Sequence, residues 1–140
     1  MPLLYLDASA LVKTVREKEE DGAVALRGYL EGGDLVSSEL LLTEVPRALQ
    51  RVGAESPRFQ LKRALRRAGE ILDTLSLRPV DDALLIGAGM LAEPDLRSLD
   101  AIHVVTALHL YPIDAFVTYD KRQAAVARLV GLQAVAPGAE

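Results

Sequence analysis

The stretch from Leu99 to Leu110 carries apolar residues on nearly every face of a helix. A helix with no polar side has to be covered all round, so this chain must build layers around it rather than lay it on a surface. With 140 residues, a single domain can bury about 68–70% of the surface its unfolded form exposes and needs no disulfide or structural metal. Cysteine is absent, which removes disulfides, thiol nucleophiles and cysteine-ligated zinc and fits a reducing compartment, the cytoplasm. Half the residues are apolar and the formal net charge is −4, so disorder and collagen-like repeats are excluded. The start reaches Asp7 before a signal-peptide core can form, and the longest run free of Asp, Glu, Lys and Arg, Ala101 to Ile113, is shorter than the ~18 apolar residues of a membrane span. A soluble protein with no membrane association is expected.

Around that central helix, short apolar runs alternate with helical patterns. Leu3–Leu6 reads as a strand that stops at Asp7-Ala8-Ser9, where a helix begins, and Glu19–Leu30 as a helix ended by Gly32-Gly33. Leu35-Val36 is a second strand, and Ser37 or Ser38 caps a helix that closes at Gly53, with Pro46 predicting a kink or restart. A turn follows, and Arg58–Leu72 completes a helical hairpin. Leu75–Leu77 is a third strand, Asp81 or Asp82 opens a helix to Leu91, and Ser98 caps the buried helix. Ala115–Thr118, a helix from Lys121 to Val130 and a fifth strand at Ala134-Val135 finish the pattern. Such alternation predicts an α/β fold with a mainly parallel five-stranded sheet covered on both faces, three layers in all. The domain is expected over residues 1–136, with 137–140 as a frayed tail.

In open parallel sheets, ligands bind beyond the carboxyl ends of the strands. Asp7 follows the first strand and Asp120 the fourth, so both belong to one rim, although each can equally be a helix N-cap, with Asp120 and Gln123 in capping-box spacing. Asp100 starts the helix that is apolar elsewhere, where an unpaired carboxylate is costly. Glu44 sits beside an apolar stripe and, taken alone, is a boundary residue reaching for water or pairing with Arg47 or Arg51. Together these four acids could gather in one volume only with a compensating cation, and oxygen ligands select Mg²⁺ or Mn²⁺. That combination points to metal-assisted phosphodiester hydrolysis. Net acidity hides a second feature: from Glu44 to Leu72 seven basic residues face three acidic ones. The segment is a solvated helix face or a track for a polyanion.

Four segments, Leu4–Lys13, Leu41–Val45, Leu96–His103 and Phe116–Arg122, resemble in order and spacing the PIN-domain ribonucleases, specifically the VapC toxins of bacterial toxin–antitoxin pairs. The likeness runs along essentially the whole chain. It implies that Asp7, Glu44, Asp100 and Asp120 form the acidic quartet that binds Mg²⁺ or Mn²⁺ and carries catalysis, with Ser9 and Thr118 lining the pocket. It further implies an RNA substrate, tRNA or rRNA, cut to leave a 3′-hydroxyl and a 5′-phosphate, a homodimer, and a cognate VapB-type antitoxin. Arg47, Arg51, Lys62 and Arg66 on the basic hairpin are candidates to contact RNA, by a salt-sensitive term, or the antitoxin. With two Phe and four Tyr, shape or a structured loop is the expected determinant rather than base stacking.

Other readings have less support. His103, one turn after Asp100, could assist in the pocket but reads first as a hydrogen-bonded core residue; His109 reads as structural, and the pair lacks a zinc spacing. No G-x-S-x-G elbow and no phosphate-binding glycine loop is present. A haloacid-dehalogenase-like phosphatase needs an acid two residues after Asp7, where Ser9 stands, and a receiver domain needs one at the end of its middle strand, where Leu77-Arg78-Pro79 offers none. A non-catalytic module of the same fold is the remaining alternative.

Overall fold

The computed structural model describes residues 1–16 and 22–139. Strands β1 (Leu3–Leu6), β2 (Asp34–Ser38), β3 (Ser76–Arg78), β4 (Ala115–Val117) and β5 (Ala134–Val135) form one sheet in the order β3-β2-β1-β4-β5. All four pairings are parallel. The described helices are α1 (Ala8–Val15), α2 (Ala23–Leu30), α3 (Leu41–Glu55), α4 (Leu61–Leu72), α5 (Asp82–Gly89), α6 (Ser98–His109) and α7 (Lys121–Leu129).

Alternation along the central strands sorts the layers. Tyr5 and Phe116 point to one face, where they join Ala101, Val104 and Ala107 of α6 and Ala124 and Ala127 of α7. Leu4, Leu6, Ala115 and Val117 point to the other, against Ala10 of α1 and Leu26 and Leu30 of α2. Tyr5 and Phe116 stack at 5.2 Å between ring centroids with planes 6° apart, a contact worth about 0.5–1.5 kcal/mol beyond burial. A third cluster, around Leu11, Leu41, Val45, Leu49, Ala64 and Ala68, packs α3 and α4 onto α1. As its sequence demands, α6 is buried over Ala101–Ala107.

Several boundaries differ from the sequence reading. Ser37 and Ser38 belong to β2: the Ser37 hydroxyl donates to the Leu6 carbonyl, and Ser38 Oγ accepts from the Leu40 N–H at 3.1 Å, so α3 begins without a side-chain cap. Pro46 neither kinks nor restarts α3, which runs unbroken past Gly53 to Glu55. The N–H that proline lacks would have bonded the carbonyl of Leu42, which lies on the exposed side where water can take its place. The turn beyond α3 delays α4 to Leu61, and Ser98 is the first helical residue of α6 rather than its cap. The helix start expected at Glu19 lies outside the described residues. Nor is the C-terminus free from Pro137 on: that residue is buried and its carbonyl accepts the Tyr119 hydroxyl at 2.6 Å. Among the described residues, no helix is long and apolar enough to cross a membrane.

Candidate acidic site

Asp7 stands where β1 ends and α1 begins. Its N–H still reaches the Val117 carbonyl at 3.2 Å, while Oδ1 caps α1 by accepting from the Ala10 N–H at 3.0 Å. Ser9 Oγ also donates to Oδ1 at 2.7 Å, and Thr118 Oγ1 donates to Oδ2 at 2.5 Å. The register of β1 with β4, Leu6 beside Val117, brings Asp7 and Thr118 together at the carboxyl rim. Asp7 is thus both the N-cap and the rim acid that the sequence left as alternatives. Burial raises its carboxyl above the ordinary aspartate range, against the pull of Thr118, Ser9 and the Ala10 amide.

Asp120 caps α7 through the Gln123 N–H at 3.0 Å and gives its own N–H to Thr118 Oγ1 at 3.1 Å. The Gln123 side chain does not return to close a capping box. Instead Nε2 donates to the backbone carbonyl of Asp100 at 3.1 Å, tying the starts of α6 and α7 together. Asp100, in the first turn of α6, is half-buried. Its carboxyl is raised first by burial, then by the charge of Asp120, with Asp7 and Glu44 adding and His103 opposing. Asp120, Asp7 and Glu44 are therefore each close enough to act on Asp100.

Glu44, in the first turn of α3, does not pair with Arg47 as its spacing allows. Its Oε1 meets His103 Nε2 at 2.6 Å, and His103 Nδ1 meets the Tyr5 hydroxyl at 2.7 Å. His103 is 1% exposed, so it is the hydrogen-bonded core residue expected and also a neighbour of the acid cluster.

Glu44, Asp100, Asp120 and Ser9 line one cavity of about 900 Å³, while Asp7 and Thr118, the latter expected to line it, lie buried behind Ser9 and do not reach its wall. Arg47 and Arg51 stand on its α3 wall. Lys62 and Arg66, also singled out in the sequence, are exposed on α4 and do not reach this cavity. Three cations that the sequence reading missed do line it: Lys13, Arg16 and Arg97. Lys13 and Arg16 follow Ser9 at helical spacings of four and seven, which was the available signal. The Lys13 ammonium lies 4.6 Å from the centre of the Tyr119 ring.

Residues 4–129 match the PIN domain family. The chain is also 43% identical over 140 residues to ribonuclease VapC46 of Mycobacterium tuberculosis, covering 98% of this chain and 99% of that protein. It belongs to the VapC family of PIN domains. Ribonuclease VapC35 of the same species is 34% identical over 142 residues, covering 97% of this PIN domain and 98% of the relative. Solved structures share the fold at lower identity. PAE2754 from Pyrobaculum aerophilum superposes with a TM-score of 0.64 at 20% identity, over 96% of this chain and 84% of that one. VapBC2 from Rickettsia felis, bound to a DNA fragment from their promoter, gives 0.69 at 11% identity, over 96% and 98%.

The acidic site of this VapC-family domain suits a hard cation in a particular way. Among the described residues, no three acidic or histidine side chains form a ready ligand cage. Yet three carboxylates raise Asp100 together, a repulsion that a cation would relieve, and every donor is oxygen. Mg²⁺ and Mn²⁺ fit such a set, since Mg²⁺ keeps several waters and takes only one or two carboxylates directly.

Proposed function

We propose that this PIN domain is a Mg²⁺- or Mn²⁺-dependent endoribonuclease, the toxin of a toxin–antitoxin pair, which hydrolyses RNA phosphodiester bonds to leave 3′-hydroxyl and 5′-phosphate ends. The observation that carries the reading is the convergence of Asp7, Glu44 and Asp120 on Asp100 beside a cavity walled by lysine and arginine. Asp7, Glu44, Asp100 and Asp120 would hold the cation, which when bound supplies Lewis acidity to water and to a phosphoryl oxygen. Ser9 and Thr118 keep the Asp7 carboxylate oriented through their hydroxyls. Arg47 and Arg51, with Lys13 and Arg97 across the opening, neutralise the phosphates flanking the scissile bond. Lys62 and Arg66, away from the cavity, are assigned to the antitoxin.

Relatives named as ribonucleases support RNA as the substrate, and sparse aromatics favour a structured tRNA or rRNA loop over stacked single strands. A homodimer, a VapB-type partner and a cytoplasmic location complete the proposal on family resemblance. Cleavage of total RNA, tRNA and rRNA by wild type, Asp7→Asn and Asp100→Asn, with and without Mg²⁺ or Mn²⁺, tests it. Cleavage by wild type that needs the metal, with loss in both variants, is expected. Cleavage that survives chelation or both substitutions overturns the reading.

A further inference from the structure

Glu44 is the acid whose position the backbone determines least. Asp7 and Asp120 are each clamped by a cap, whereas the carboxylates of Asp100 and Glu44 have no backbone donor, and of these two Glu44 carries the longer side chain, on a helix that offers it Arg47. What holds it is the buried histidine of α6. A contact of 2.6 Å between Nε2 and an ionised carboxylate oxygen needs a proton on Nε2. In a neutral ring Nδ1 is then an acceptor, and the buried Tyr5 hydroxyl at 2.7 Å is its donor. Tyr5 is itself fixed, wholly buried, stacked on Phe116 and edge-on to the His103 ring at 5.8 Å and 78°. The chain of donors runs from β1, which leads into Asp7, through α6, which carries Asp100 in its first turn, to α3.

We propose that His103, oriented by Tyr5, is a positioning residue that fixes the Glu44 carboxylate toward the acidic cavity by engaging Oε1 and leaving Oε2 for the cation or its water. The role rests on the metal-dependent reading above. Hydrogen-bond partners of metal-site carboxylates typically contribute about 10–100-fold to metal affinity or activity, and here the anchor also denies Glu44 to the neighbouring arginine.

The test combines two readouts on the full chain. Long-range ¹H–¹⁵N NMR of the metal-free protein should find the His103 ring with its proton on Nε2 and an unprotonated Nδ1, or both nitrogens protonated. In Tyr5→Phe the Nδ1 resonance should move. Mn²⁺ titration and RNA cleavage kinetics are then compared for wild type, His103→Leu, His103→Gln and Tyr5→Phe. His103→Leu should lose about tenfold or more in Mn²⁺ affinity and in kcat, with the KM for RNA unchanged. His103→Gln, which keeps an amide donor facing Glu44, should recover most of that loss and, should the leucine variant fail to fold, carries the comparison with Tyr5→Phe. A wild-type ring protonated on Nδ1 alone, or folded variants that bind Mn²⁺ and cleave as wild type does, overturns the role and leaves the nuclease reading standing. Wild-type protein that neither binds Mn²⁺ nor cleaves RNA overturns both.

Discussion

Thr118 holds Asp7 from the neighbouring strand: its hydroxyl donates to Oδ2 at 2.5 Å across 111 residues of sequence, and the same oxygen accepts the Asp120 N–H at 3.1 Å. One hydroxyl therefore serves two of the site's acids. Thr118→Val keeps the volume and β-branching but leaves a buried carboxylate oxygen and an amide without a partner. A loss of about 1–3 kcal/mol is expected, read by urea unfolding of the metal-free protein. Removing a donor that favours the ionised form also moves the Asp7 carboxyl still higher. A variant as stable as wild type would show that the hydroxyl contributes nothing there.

Asp100 folds with its carboxyl above the ordinary aspartate value of 3.8, so the folded chain binds that proton more tightly than the unfolded chain. Stability from this group is fully present below the unfolded value and is lost as pH rises through the raised one. Ionised Asp100 consequently burdens the metal-free fold at neutral pH. Asp100→Asn should be more stable than wild type at neutral pH, and its advantage should vanish on acidification into the ordinary aspartate range. Paired urea titrations across that window check the sign; an advantage that grows on acidification contradicts it.

Gln123 Nε2 connects α7 to the Asp100 carbonyl, and Gln123→Met removes that donor while retaining much of the shape. The carbonyl can keep a helical partner, so the expected cost is only about 0.5–1.5 kcal/mol. Metal-dependent cleavage should fall more than stability does, because the spacing of Asp100 and Asp120 loosens. Equal, small losses in both would make Gln123 merely a packing residue.

Arg47 and Arg51 stand on the cavity wall, whereas Lys62 and Arg66 do not. RNA affinity measured against salt should lose about 0.7 of logarithmic slope for each single-stranded phosphate contact removed by Arg47→Ala or Arg51→Ala. Lys62→Ala and Arg66→Ala should leave slope and cleavage unchanged. A uniform effect across all four would mean that the whole hairpin tracks the RNA.

The rim acids were legible because local chemistry dictates them: an apolar run that stops at Asp7 or just before Asp120 must become a helix, and a capping acid at a strand's carboxyl end faces the ligand side of a parallel sheet. The entry to α3 was misread because Ser37 and Ser38 have the chemistry of caps but point from a strand, where backbone pairing outweighs the local bond. Lys13 and Arg16 escaped a charge count taken along segments rather than around α1. The Tyr5–His103–Glu44 chain joins residues 98 and 59 positions apart, and no periodicity encodes which buried polar groups will meet.

Central placement of β1, paired on both sides by β2 and β4, sets a hierarchy of persistence. The amides leading to Asp7 are expected to be among the slowest to exchange with solvent, and those of the α3–α4 hairpin, which rests on α1 at one side of the sheet, faster. Glu44 rides on that hairpin, so a disturbance at the periphery reaches the acids through this one residue, while Asp7, seated at the end of the central strand, keeps its place.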